Sequence, residues 1–224
     1  MSAGLENMRT AWLRTIEQIA LACFRDQRVI GVTAPHSLAG VSTLAHAFAE
    51  LSASWGVKTL LTDLSTAASH TEISRRWAPG IGDPKNFLEH RKNGYDVIQI
   101  DTGTRTTIGY GNPRHFLAEL FEELDEYKAI VVDLPAILEF SAYTMSPIIG
   151  ALSCDTVIMV CSKGLTTFDQ LKKGIEVLQV AGVRIGGTVL NEFGQCALKA
   201  GSKYGGRELT TDKIVANLVE KATT

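Results

Sequence analysis

Residues Arg28 to Glu50 read RVIGVTAPHSLAGVSTLAHAFAE, and this stretch limits the fold more than any other. The β-branched run of Val29, Ile30, Val32 and Thr33 predicts a strand buried on both faces, as in a parallel sheet. A turn from Ala34 to Val41 separates it from a helix-period segment, Ser42 to Ser52. Strand, tight turn and helix start make the layout of a phosphate-binding loop, where backbone N–H groups and the helix dipole receive an anion. Such loops are worded G-x-x-x-x-G-K-[ST]. Here the register reads Pro35, four residues, Gly40, Val41, Ser42. A valine stands where the lysine that touches the β- and γ-phosphates belongs.

The remaining chain alternates in the same way. Leu5 to Phe24 has helical spacing, with Leu5, Met8, Trp12, Ile16, Ile19 and Cys23 at steps of three and four. Val57 to Leu64 predicts a second buried strand ending on Asp63, and Asp96 to Ile100 a third. Between them lie a polar stretch, a Gly/Pro cluster from Pro79 to Pro84, and a predicted short helix over Phe87 to Lys92. Pro113 suits the first position of a helix covering Arg114 to Glu126. Ala129 to Val132 delivers Asp133; Ser153 to Ser162 and Arg184 to Leu190 supply two more strands, the latter ending on Asn191. A helix over Thr167 to Val180 ends before Gly182, and a final helix is predicted over Asp212 to Lys221. The class is therefore α/β, a mostly parallel sheet with helices on both faces. No linker divides the 224 residues, which read as a single domain, with residues 1–27 as an N-terminal helical element.

Ligands of such sheets sit at the carboxyl ends of the strands. There the chain presents Ser42, Asp63, Asp133 and Asn191. A hydroxyl and two carboxylates suit a hydrated Mg²⁺, which takes one or two protein carboxylates plus phosphate oxygens. Asn191 suits a hydrogen bond to a base edge. Each residue also has a plainer reading, since Ser42 can cap a helix and the aspartates can close turns. Their common register favours an ancestral nucleotide site.

Composition excludes several alternatives. A net charge of −2 gives no broad attraction for nucleic acid or anionic lipid. No window approaches the roughly 20 apolar residues of a membrane span, and Met1 to Arg14 lacks a signal-peptide core, so the sequence predicts a cytoplasmic chain. Cys23, Cys154, Cys161 and Cys196 lack C-x-x-C spacing and read as buried thiols.

Several segments together resemble the cytoplasmic domain of bacterial tyrosine kinases of the exopolysaccharide chain-length and export family. That family lies within the MinD/ParA-like P-loop class. TAPHSLAGVST is similar to its phosphate loop, and VKTLLTDLS to its second acidic motif, a hydrophobic run followed by D-x-D. YDVIQIDTG, GNPRHFLAELFEELDEYKAIVVDLPAI, SCDTVIMVCSKGLTT and AGVRIGGTVLNEF follow its later order. The resemblance implies weak binding of ATP or ADP by Ala39, Gly40, Val41, Ser42, Thr43 and Asn191. It implies Mg²⁺ on Ser42, Asp63 and Asp133. It also implies self-association through an E-x-x-R-x-x-R helix, which Glu6 and Arg9 match while Trp12 replaces the second arginine.

The departures are equally specific. Val41 replaces the lysine, Ser65 replaces the second aspartate of D-x-D, and Leu38 and Ala39 are bulky for this loop. The tyrosine-rich C-terminus is missing, with Tyr204 alone after Asn191. No catalytic set is intact, and Asp63 and Asp133 are vestigial. The expected function is that of a non-catalytic regulatory or scaffolding protein in exopolysaccharide biosynthesis and export. It would dock on a separate membrane chain-length protein and be recruited by it to the inner membrane. The alternatives are a slow MinD/ParA-like ATPase switch and a residual tyrosine autokinase.

Overall fold

The computed structural model describes residues 14–64, 76–79, 81–101, 113–139, 146–191 and 216–219. Glu6, Arg9 and Trp12 of the expected association helix lie outside them, as do Ser65, Cys196 and Tyr204. Helix α1 covers residues 14–24. It is followed by β1 (Val29–Thr33), α2 (Val41–Ser54), β2 (Thr59–Asp63), a 3₁₀ turn (Pro84–Phe87), β3 (Glu89–His90) and β4 (Asp96–Gln99). Then come α3 (Pro113–Glu123), β5 (Ala129–Asp133), α4 (Pro147–Leu152), β6 (Thr156–Ser162), α5 (Phe168–Val180), β7 (Ile185–Asn191) and β8 (Ala216–Val219).

The strands form one eight-stranded sheet in the order β3-β4-β2-β5-β1-β6-β7-β8. The six inner strands run parallel, and β3 and β8 close the two edges antiparallel. Strand periodicity sorts the core into two layers. Ile30, Val32, Val131 and Ile158 face α1 and α2, packing on Ile16, Ile19, Leu44 and Phe48. Ile130, Val132, Val157 and Met159 face the other way, onto Leu117, Leu120, Phe121 and Leu178 of α3 and α5. Gly31 in β1 lets the second layer close, because a Cβ there would stand 2.9 Å from both Cys154 Sγ and Leu134 Cδ1.

Polar clamps fix the ends of the central strands. The Asp155 carboxylate accepts from the Arg28 and Val29 amides, both at 2.8 Å, at the entry to β1. The Arg28 guanidinium donates to the carbonyls of Phe121, Leu124 and Tyr127 at 2.8–3.0 Å, satisfying the acceptors left at the end of α3. Lys58 pairs with Glu126 at the amino end of the sheet, far from the phosphate loop, as its place before β2 predicts.

Two predicted helices are strands. Pro84 to Phe87 is a 3₁₀ turn capped by Asp83, and Glu89–His90 pairs with Val97 and Asp96. The cause is Asn93-Gly94: Gly94 takes φ 88 and the Arg91 N–H reaches Tyr95 O at 2.9 Å, closing a hairpin. In the predicted last helix, Ala216–Val219 instead pairs with Thr188 to Asn191. The open edge of β7 supplies backbone partners that override local periodicity. Helix α4, six residues long, was too short to show a period. Cys23, Cys154 and Cys161 are free thiols, and burial raises the pKa of each. No helix among the described residues is long and apolar enough to cross a membrane.

Candidate functional site

The parallel register brings the strand-end residues together. Asp63 and Asp133 are direct partners across β2 and β5, and β1, on the other side of β5, leads into the loop and α2. Gly40 caps α2 with φ 96 and ψ 22, and the Leu44 amide donates to its carbonyl at 3.1 Å. Ser42 is exposed in the first turn, and its hydroxyl donates to the Asp133 carboxylate. Ser42, Asp63 and Asp133 therefore meet at one point, as their spacing predicts.

Asp133 is only 3% exposed, and its Oδ1 has no hydrogen-bond partner. Its pKa is pushed up to about 7, first by burial and then by the Asp63 charge, against the stabilising Ser42 bond. This is a carboxylate pair that wants a cation. A hard divalent ion fits the donor set, since an orphaned buried acceptor, a second carboxylate and a hydroxyl are the oxygen ligands Mg²⁺ takes. On α2, His46 Nδ1 lies 2.8 Å from the Tyr95 hydroxyl. Burial, followed by the Arg91 charge, lowers the His46 pKa, while Asp63 opposes the shift.

The position of the missing lysine is filled by packing. Val41 is half-buried against the apolar layer under α2. The loop before it is held by Asn191, which the strand-end pattern marks, and by side chains that it does not. Asn191 Nδ2 donates to Ala39 O at 2.8 Å, tying the end of β7 to the loop. The Asn191 amide, expected at a base edge, here closes the protein on itself. His36 is buried between Ser37 O and Thr166 Oγ1, both at 2.7 Å. The Ser37 amide donates to Glu139 Oε2 at 2.7 Å. Thr166 and Glu139 have no local sequence signal, because each comes from a loop distant in the chain.

The sequence matches no protein-family model and no curated protein. Solved structures share the architecture. The kinase domain of VpsO aligns over 81% of this chain and 93% of its own, with a TM-score of 0.63 and 25% identity. The kinase domain of the Escherichia coli tyrosine kinase ETK aligns over 73% of this chain and 66% of its own, with a TM-score of 0.60 and 21% identity. The fold is that of the bacterial tyrosine kinase domains. MinD of Aquifex aeolicus shares it too, over 80% of this chain and 75% of its own, with a TM-score of 0.56 and 19% identity. This tyrosine-kinase-like P-loop fold accounts for the position of the site at the carboxyl edge of the sheet. It also accounts for the acidic pair on neighbouring strands.

Proposed function

We propose that the chain is a non-catalytic relative of the bacterial tyrosine kinases that acts by docking in an exopolysaccharide biosynthesis and export system. The observation that carries this reading is Val41. Phosphoryl transfer depends on charge placed against the phosphates, and loss of one such preorganised donor typically costs about 3–4 kcal/mol of transition-state stabilisation. Val41 is half-buried in an apolar layer, and the loop Ala34–Ser42 contains no lysine or arginine. The partners in this reading are a membrane chain-length protein, which would recruit the chain to the inner membrane, and further copies through the N-terminal helix. Incubation of the purified chain with radiolabelled Mg·ATP tests the claim. No phosphotyrosine and no phosphate release above blank are expected. Autophosphorylation that disappears in Asp63→Ala would overturn it.

A second reading, a slow nucleotide-dependent switch, is favoured by the unpartnered Oδ1 of Asp133. Ser42, Asp63 and Asp133 would hold Mg²⁺, which would neutralise the carboxylates and supply positive charge against a phosphate. Calorimetric titration with Mg·ADP separates the readings, and a Kd tighter than about 10 µM favours the switch.

A further inference from the structure

The loop between β1 and α2 keeps the shape of an anion receptor without the residues that make that shape easy. Leu38 has φ 64 and Gly40 has φ 96, so two left-handed residues flank Ala39. The left-handed conformation in tight turns is how loops aim N–H groups at an anion. Glycine adopts it freely, whereas leucine pays roughly 1–2 kcal/mol. The Leu38 side chain is 89% exposed, so its own packing offers little in return.

What the loop holds is a carboxylate from the same chain. The Ser37 N–H donates to Glu139 Oε2 at 2.7 Å, and the Ser37 hydroxyl donates to the same group. The backbone of the Glu139 segment is laid along the loop. Ile137 N–H reaches Ala34 O at 2.9 Å, and Leu138 N–H reaches Pro35 O at 3.0 Å. From the other side, His36 fixes the Ser37 peptide. A carbonyl can only accept, so His36 Nδ1 carries the hydrogen and donates to Ser37 O. His36 Nε2 meets Thr166 Oγ1, which in turn accepts from the Ser162 amide at 2.8 Å. The donors of Ser37 are thus aimed by contacts on both sides, and an anion already sits on them. The backbone bond, then the hydroxyl bond, and more weakly the His36 charge, keep the Glu139 carboxyl below the usual glutamate range.

We propose that the Ser37 N–H and hydroxyl form an oxyanion site that the chain fills with its own Glu139, and that a phosphoryl oxyanion enters only by displacing that carboxylate. This rests on reading the loop as the remnant of a phosphate site, as above. With the lysine absent, an incoming phosphate meets Glu139, Asp63 and Asp133 with no lysine or arginine in the loop to offset them. Glu139 is exposed, so it can swing away without opening the core.

The test uses the full chain and inorganic pyrophosphate as probe, titrated by calorimetry at constant ionic strength. Glu139→Ala and the near-isosteric Glu139→Gln are both expected to bind pyrophosphate at least tenfold more tightly than the parent chain. Adding Ser37→Ala to Glu139→Ala is expected to remove most of that gain. The Ser37 amide resonance supplies a readout independent of affinity. It should shift in Glu139→Gln, and in the parent chain it should follow one titration below the ordinary glutamate range. Unchanged pyrophosphate affinity in both folded variants would overturn the proposal, as would a Ser37 resonance indifferent to Glu139. Either failure leaves the docking reading standing. Conversely, ATP turnover by the parent chain would end that reading without altering the outcome expected at Ser37.

Discussion

Replacing Asp133 by asparagine should stabilise the protein, and by an amount that depends on pH. The Asp133 carboxyl is buried opposite Asp63, with one oxygen unpartnered, and its pKa is raised from 3.8 to about 7. A group whose folded value lies above its unfolded value holds its proton more tightly when folded. For an acid, the folded state is then fully favoured below the unfolded value near pH 4, and stability is lost as pH rises toward 7. A shift of roughly three units at about 1.4 kcal/mol each gives a penalty of about 4 kcal/mol at pH 8. Asparagine keeps the shape, removes the charge, and can donate to the Asp63 carboxylate. Weakening the bond from Ser42 returns about 1 kcal/mol of the gain. The net expectation is about 3 kcal/mol at pH 8 and close to zero at pH 4.5. For a chain of this size that corresponds to a Tm rise of about 6–12 °C at pH 8. Scanning calorimetry of both proteins between pH 4.5 and 8.5 checks it. Millimolar Mg²⁺ should raise the Tm of the parent chain at pH 8 and leave Asp133→Asn nearly unmoved. A Tm difference that stays flat across pH, or a loss of stability at pH 8, would refute the reasoning.

Gly40→Ala should cost about 1–3 kcal/mol, read as a lower Tm, because the residue has φ 96 and an added Cβ would collide with Asn191 Nδ2. Asn191→Ala should rescue part of that loss, so the double-mutant cycle is expected to be non-additive. Arg28→Ala strips three carbonyls of their donor and should cost about 2–4 kcal/mol, seen as a lower urea midpoint with unchanged slope. Val41→Lys should tighten Mg·ADP binding at least tenfold by calorimetry. No gain would mean that the acidic pair and the loop no longer form a competent phosphate site.

The inner strands are legible because each is a short run rich in apolar and β-branched residues, and the parallel sheet demands that pattern. Asp63, Asp133 and Ser42 were legible for a related reason, since strand ends on one edge of a parallel sheet share a register. The two mistaken helices sit on antiparallel edge strands, where pairing with a neighbour outweighs local spacing. For β3 the signal was present in Asn93-Gly94, a strong hairpin cue. Glu139, His36 and Thr166 could not be found from spacing. Glu139 looks like an ordinary exposed acid after β5, and only the tertiary fold places it on the Ser37 donors. Asn191 stands out as a strand-end residue, yet the bond it makes, to a backbone carbonyl 152 residues away, leaves no sequence trace.

That last bond bears on the order in which the molecule comes together. Ala39 belongs to the β1–α2 unit, which leaves the ribosome before β6 and α5, whereas its partner Asn191 is made only after them. Loop closures of this span lie late in folding, because many intervening contacts must form before the ends meet. While the chain is being synthesised, the strand–helix unit would stand with its loop unclamped until β7 docks beside β6. The closed loop therefore marks the docking of β7. A binding partner that reads its Ala39–Asn191 form would engage copies in which β7 has docked and pass over those that stop short of it.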